Sequence, residues 1–173
     1  MRLLSRSHGT LRAVVGLSLA AALLAWPGAA AASSHTPTST DAMHAVLAAA
    51  RSHIGAPYRF GGTGPGYDCS GLVYRVFKDT HQLQRIGGRR MSAVALLHWF
   101  EVRGLIGSRH GQPGDLVVYG RGSHVGIYIG RGKVISAVIH GVRRHGLHRL
   151  SIPFTVFLHT RLREEAPTTP AAG

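Results

Sequence analysis

The chain has 173 residues, 20 Lys+Arg against 7 Asp+Glu, a formal charge of +13 and one cysteine. A single cysteine excludes an intramolecular disulfide framework, and the cationic excess points to polyanionic partners. Nucleic acid is disfavoured as that polyanion, because no Lys/Arg-rich helix interleaved with aromatics occurs.

Residues 1–32 read as an export signal. Arg2, Arg6 and Arg12 precede the apolar run "AVVGLSLAAALLAW", Pro27 and Gly28 break it, and "AAAA" at 29–32 offers a cleavage site. The apolar core falls short of the ~20 residues that span a bilayer, so no stable membrane insertion is expected. Cleavage after Ala32 removes three cations and no acid, which leaves 17 Lys+Arg against 7 Asp+Glu, or +10, on 141 residues. That length suits one domain. For an exported protein the fitting polyanion is a cell wall.

Residues 33–40, "SSHTPTST", read as a polar linker, and the domain is expected over 41–163. A first helix follows, capped by Thr40 or Asp41, with Met43, Val46, Leu47 and Ala50 at helical spacing and Gly55 and Pro57 ending it. "GGTGPGYD" is a glycine-rich loop. "CSGLVYRVFKDT" has Leu72, Val73, Val76 and Phe77 at helical spacing, and a third helix is capped near Ser92. After Pro113 the pattern changes to short β-branched runs, "DLVVY", "HVGIYIG" and "KVISAVI", separated by the turns "GRGS" and "GRGK". "FTVFLHTRL" is a last strand, and residues 164–173 read as a disordered tail. Helices first and an antiparallel meander after them predict an α+β fold with the helices on one side of the sheet.

Cys69 lies where the glycine-rich loop gives way to a helix. Free N–H groups and the helix dipole there favour a thiolate, which predicts a lowered thiol pKa. The competing reading is an inert, buried thiol. Among 12 histidines, His124 is distinctive because it opens an apolar strand directly after a turn. His81, His98, His110, His145, His148 and His159 read as solvated surface. His140, His145 and His148 lack a nearby carboxylate or cysteine that would make them a metal site. Asp68 and Ser70 suit a helix cap, Asp115 a turn, and Tyr119 and Tyr128 strand packing.

The succession "GAPYRFGGTGPGYDCSGLVYRVF", "QPGDLVVY" and "HVGIYIGRGKVISA" resembles the NlpC-type cell-wall peptidases, the bacterial branch of the papain-like cysteine peptidases. The likeness runs from about Met43 to Val142. It implies N-terminal helices packed on an antiparallel half-barrel, no metal and no cofactor. It also implies hydrolysis of peptidoglycan stem peptides, most often between D-glutamate and a diamino acid. Carried onto this chain, it makes Cys69 the nucleophile and His124 the base. Tyr58 would help to form the oxyanion site, and Asp68 and Ser70 would meet the free amino end of a stem peptide.

Three departures stand out. Phe60 replaces the usual Trp, and "GGRRMS" keeps Arg90 and Ser92 without the usual proline. At the third catalytic position, twelve residues after His124, Ser136 stands where most members carry His, Asn, Gln or an acid. With the hairpin turn centred on Gly130, Ser136 is expected directly opposite His124, as a weak orienting group whose loss costs within about tenfold in rate. The expected partners are stem peptides and anionic wall polymers, and the expected state a secreted, wall-associated monomer. A catalytically weak wall-binding module and an amidase or acyltransferase on the same fold are the other readings.

Overall fold

The structure, a computed structural model, describes residues 39–164. The expected export signal, the linker up to residue 38 and the tail from 165 onward lie outside the described residues.

Helix α1, Ser39–Ser52, buries the expected stripe of Met43, Val46, Leu47 and Ala50. It begins before the expected caps, so Ser39 and Thr40 belong to the helix and not to the linker. Side chains that compete for backbone hydrogen bonds are tolerated in a first turn, where the N–H groups have no intrahelical partner. Helix α2, Cys69–Asp79, buries Leu72, Val73, Val76 and Phe77. An unpredicted 3₁₀ turn, Leu83–Ile86, leads to α3, Ala93–Glu101, whose first turn is capped by Ser92 through Ala95 N–H at 3.3 Å. At the other end Glu164, assigned by sequence to the tail, closes a turn onto the Arg161 carbonyl, and the Arg85 guanidinium donates to the carbonyls of both residues.

The strands are β1 (Ile106–Gly107), β2 (Leu116–Tyr119), β3 (His124–Gly130), β4 (Lys133–Val138), β5 (Gly141–Gly146) and β6 (Phe154–Leu158). They form one antiparallel sheet in the order β1-β6-β2-β3-β4-β5. The meander therefore runs only from β2 to β5, and β6 returns to the opposite side of β2. Strands β1 and β5 were not predicted. "GVRRHG" has no apolar alternation, because β5 is an edge strand that pairs with β4 alone, and charged residues are common on such edges.

One face of the sheet, including Leu116, Val125, Ile127 and Ile135, merges with the helices into the main core. Full burial of each such side chain contributes roughly 1.5–3 kcal/mol. The other face carries a second cluster of Val117, Tyr119, Val134 and Phe157, with Leu147, Leu150 and Ile152 of the β5–β6 connection packed on it.

The β3–β4 hairpin corrects the expected register. Its turn is Arg131–Gly132, with φ of +51° and +65°, and Gly130 pairs with Lys133. Two central residues with positive φ are the signature of a tight hairpin turn that matches strand twist. The turn centre moves toward the C-terminus, and the pairs become Ile127↔Ile135 and Tyr128↔Val134. Continued toward His124, this register sets Ser136 opposite Gly126. A shift of two residues keeps the face, so Ser136 becomes a diagonal neighbour of His124 on the same side of the sheet.

Candidate active site

Asp68 organises the start of α2. Its Oδ1 accepts from Gly71 N–H at 2.5 Å and Ser70 O–H at 3.0 Å, and its Oδ2 from Gly61 N–H at 2.8 Å and Arg90 Nη2 at 2.8 Å. A carboxylate has about four lone-pair directions, and all are used here. Asp68 and Ser70, both buried, thus act as a cap that ties loop, helix and the Arg90 segment together. Gly71 is required at this junction, since a Cβ there would meet the Gly62 carbonyl oxygen at 1.8 Å.

Cys69 is half-buried at the first position of α2. Its sulfur lies among the backbone N–H groups of Val125, Ser70 and Cys69 itself. Burial nevertheless pushes the thiol pKa up. The Val125 N–H opposes this, Asp68 adds to it, and the N–H groups of Ser70 and Cys69 oppose it more weakly. The lowered pKa expected from the helix terminus is therefore reversed, because desolvation of the sulfur outweighs the dipoles.

The contact with Val125 brings the start of β3 to the sulfur, and the residue before Val125 is His124. The imidazole is 8% exposed and stacks at a tilt on Tyr119, with ring centroids 5.8 Å apart. Burial, helped by His145, lowers its pKa to about 4. Near neutral pH both groups are uncharged, a thiol and an imidazole. Nε2 of His124 lies 2.9 Å from Ser136 Oγ, which ties this ring nitrogen to β4. The diagonal reach depends on Gly126, because a Cβ there would stand 3.0 Å from Ser136 Cβ and 2.6 Å from Val134 Cγ1.

Sequence reasoning missed His145. Its Nε2 lies 2.8 Å from Ser136 Oγ on the side away from His124, and its Nδ1 is 2.9 Å from the Gly146 carbonyl oxygen. It is half-buried in β5, not solvated. No periodic signal marks it, because it sits on the strand that the sequence does not announce. His159 is also no free surface group: it pairs at 2.9 Å with Asp115, which further accepts from Gln112 and Thr160 N–H and so pins β6 to the turn before β2.

Tyr58 completes the neighbourhood. It is 37% exposed, bridged to Tyr67 just before Asp68. Its hydroxyl pKa is pushed up by burial first, then by Cys69 and Asp68. Tyr58 thus lies near Cys69, Cys69 meets the backbone of β3 one residue after His124, and His124 contacts Ser136, while Asp68 and Ser70 cap the helix that carries the cysteine.

Comparison with known proteins follows the same residues. The NlpC/P60 family profile matches residues 55–157, the stretch that carries Cys69, His124, Ser136 and His145. The chain belongs to the NlpC/P60 family. Similar relatives include "Probable endopeptidase p60" of Listeria innocua, 38% identical over 109 residues, which are 60% of this chain and 21% of that protein. A probable endopeptidase of Mycobacterium tuberculosis is 42% identical over 107 residues, 57% of this chain and 24% of that one. The chain thus spans between a fifth and a quarter of the length of these relatives. Among solved structures, the NlpC/p60 domain of the peptidoglycan hydrolase SagA superposes with a TM-score of 0.52 at 30% identity, covering 67% of this chain and 97% of that domain.

Proposed function

We propose that this NlpC/P60 chain is a cysteine endopeptidase of the cell wall that hydrolyses peptidoglycan stem peptides at the D-glutamyl–diamino acid bond. The observation that carries the reading is the meeting of Cys69 with the start of β3, where His124 has Nε2 engaged by Ser136. The relatives named above, an endopeptidase and a peptidoglycan hydrolase domain, support the substrate class.

The chemistry starts from neutral partners. Nδ1 of His124 takes the thiol proton as sulfur attacks the scissile carbonyl carbon. The oxyanion is met by backbone N–H groups at the start of α2 and by the Tyr58 hydroxyl. The C–N bond then breaks, and the imidazolium returns its proton to the leaving amine. Water, deprotonated by His124, hydrolyses the thioester and frees the sulfur.

Residence on the wall is part of the proposal. Residues 1–32 have the composition of an export signal, and Arg51, Arg131, Lys133 and Arg144 line an open groove of about 500 Å³. Such a groove suits the phosphates or carboxylates of a wall polymer, and its retention should weaken with salt. The weak wall-binding module, motivated by Ser136, is less favoured, because Ser136 contacts His124 and is itself backed by His145.

The test is digestion of purified wall with the chain, followed by mass spectrometry of the released fragments. New amino termini on the diamino acid are the expected product. Release at another amide bond would favour an amidase, and co-sedimentation with undigested wall would favour a binding module.

A further inference from the structure

We propose that His145 is a positioning residue that, through Ser136, fixes His124 in the tautomer able to act as a base. This rests on the peptidase reading above, but its geometry stands without a substrate.

The relay of protons begins at a group that has no choice. The Gly146 carbonyl oxygen only accepts, so His145 Nδ1, 2.9 Å away, carries a proton. A neutral imidazole has one N–H, and Nε2 of His145 is therefore an acceptor. Ser136 Oγ, 2.8 Å from that nitrogen, must donate to it. A hydroxyl has one proton, so toward His124 Ser136 can only accept. Nε2 of His124, 2.9 Å away, then bears the proton, and its lone pair is on Nδ1. One backbone carbonyl on the edge strand thus selects, through two side chains, the nitrogen of His124 that keeps its lone pair.

The fold builds this chain deliberately across three strands. Ser136 pairs with Arg143 of β5, which makes His145 its diagonal neighbour, as His124 is on the other side. The central hydroxyl is fully buried and His124 nearly so, with Tyr119 closing over both rings at centroid distances of 5.8 and 6.3 Å. Water is thereby kept from offering the hydroxyl a different partner. An orienting group larger than serine, which the resemblance expects at position 136, is here supplied one strand further out by His145, with serine as the connector.

The experiment reads tautomers directly, in the full chain labelled with ¹⁵N-histidine, using long-range ¹H–¹⁵N spectra with His124 assigned through H124Q. Wild type should show His124 as the pure Nε2–H form. H145Q, whose amide oxygen can accept from Ser136, should keep that form, whereas H145F should give a mixture. On a stem peptide, H145F should lower kcat about ten- to a hundredfold with little change in KM, and H145Q should recover most of the loss. In a S136A background, H145F should have no further effect. A wild-type His124 protonated on Nδ1 overturns the proposal whatever the variants do, including a variant that fails to fold. So does a His124 tautomer unmoved by H145F in a folded chain. A chain that cleaves no stem peptide but shows the expected tautomers would sink the peptidase reading and leave this inference standing.

Discussion

The two halves of the site are held by different kinds of structure. Cys69 is fixed locally: Gly61, Asp68, Ser70 and Gly71 lie within ten residues of it, and backbone N–H groups carry most of the bonding. His124 is fixed by side chains on three strands, in a line from β3 through Ser136 on β4 to His145 on β5. Cys69 thus inherits its position from a capped helix end, while His124 inherits its position from sheet register. A local device tolerates changes elsewhere in the fold. A register-dependent one fails with any slip or any bulk placed between its members.

The largest expected contrast comes from removing the proposed base. His124→Ala should cost at least a thousandfold in kcat/KM on a stem peptide, equal to ~4 kcal/mol, with the thermal transition retained. A loss below tenfold would mean that another group accepts the thiol proton.

The next effect is on stability. His124 is held near pKa 4 against an ordinary value of 6.5, so the unfolded chain binds the proton first as pH falls. Stability should be full above pH 6.5 and decline as pH drops toward 4, by up to about 3 kcal/mol. His124→Gln should flatten that slope in denaturant titrations across the window. An unchanged slope would show that the burial of His124 is not what the acid limb reports.

The register half is probed by Ser136 and Gly126. Ser136→Ala should lower kcat between about tenfold and a hundredfold, ~1.4–2.7 kcal/mol, more than the loss of an unsupported serine would, because His145 backs the hydroxyl. Gly126→Val, which puts bulk between His124 and Ser136, should do at least as much damage to kcat. If Gly126→Val were fully active, the diagonal contact would be dispensable.

The local half should respond through stability. Asp68→Ala removes a cap and strands Arg90, so about 1–2 kcal/mol of unfolding free energy should be lost. The smallest effect should come from Tyr119→Phe. Its buried hydroxyl has no hydrogen-bond partner among the described residues, and removing it should leave stability equal or higher by up to about 1 kcal/mol.

The same division decides what was legible in the sequence. Helical spacing and caps announced α2 with Cys69 at its head, and β-branched runs announced β2, β3, β4 and β6, because those signals are local. The direction of the thiol shift was not legible, since it depends on how deeply the sheet buries the sulfur. Register was misjudged by two residues because both "GRGK" glycines are candidates for the turn, and only φ shows that Arg131–Gly132 takes it. His145 was missed because edge strand β5 is recognised by its pairing with β4 and not by its composition.

The central claim is that the Cys69 thiol is the nucleophile. It is tested most directly by comparing wild type with Cys69→Ala on one defined stem peptide, counting new amino termini by mass spectrometry while circular dichroism monitors the fold. The account predicts steady release by wild type and none by a folded Cys69→Ala chain. Residual release by that variant at a few per cent of the wild-type rate, from a preparation free of other hydrolases, would contradict it.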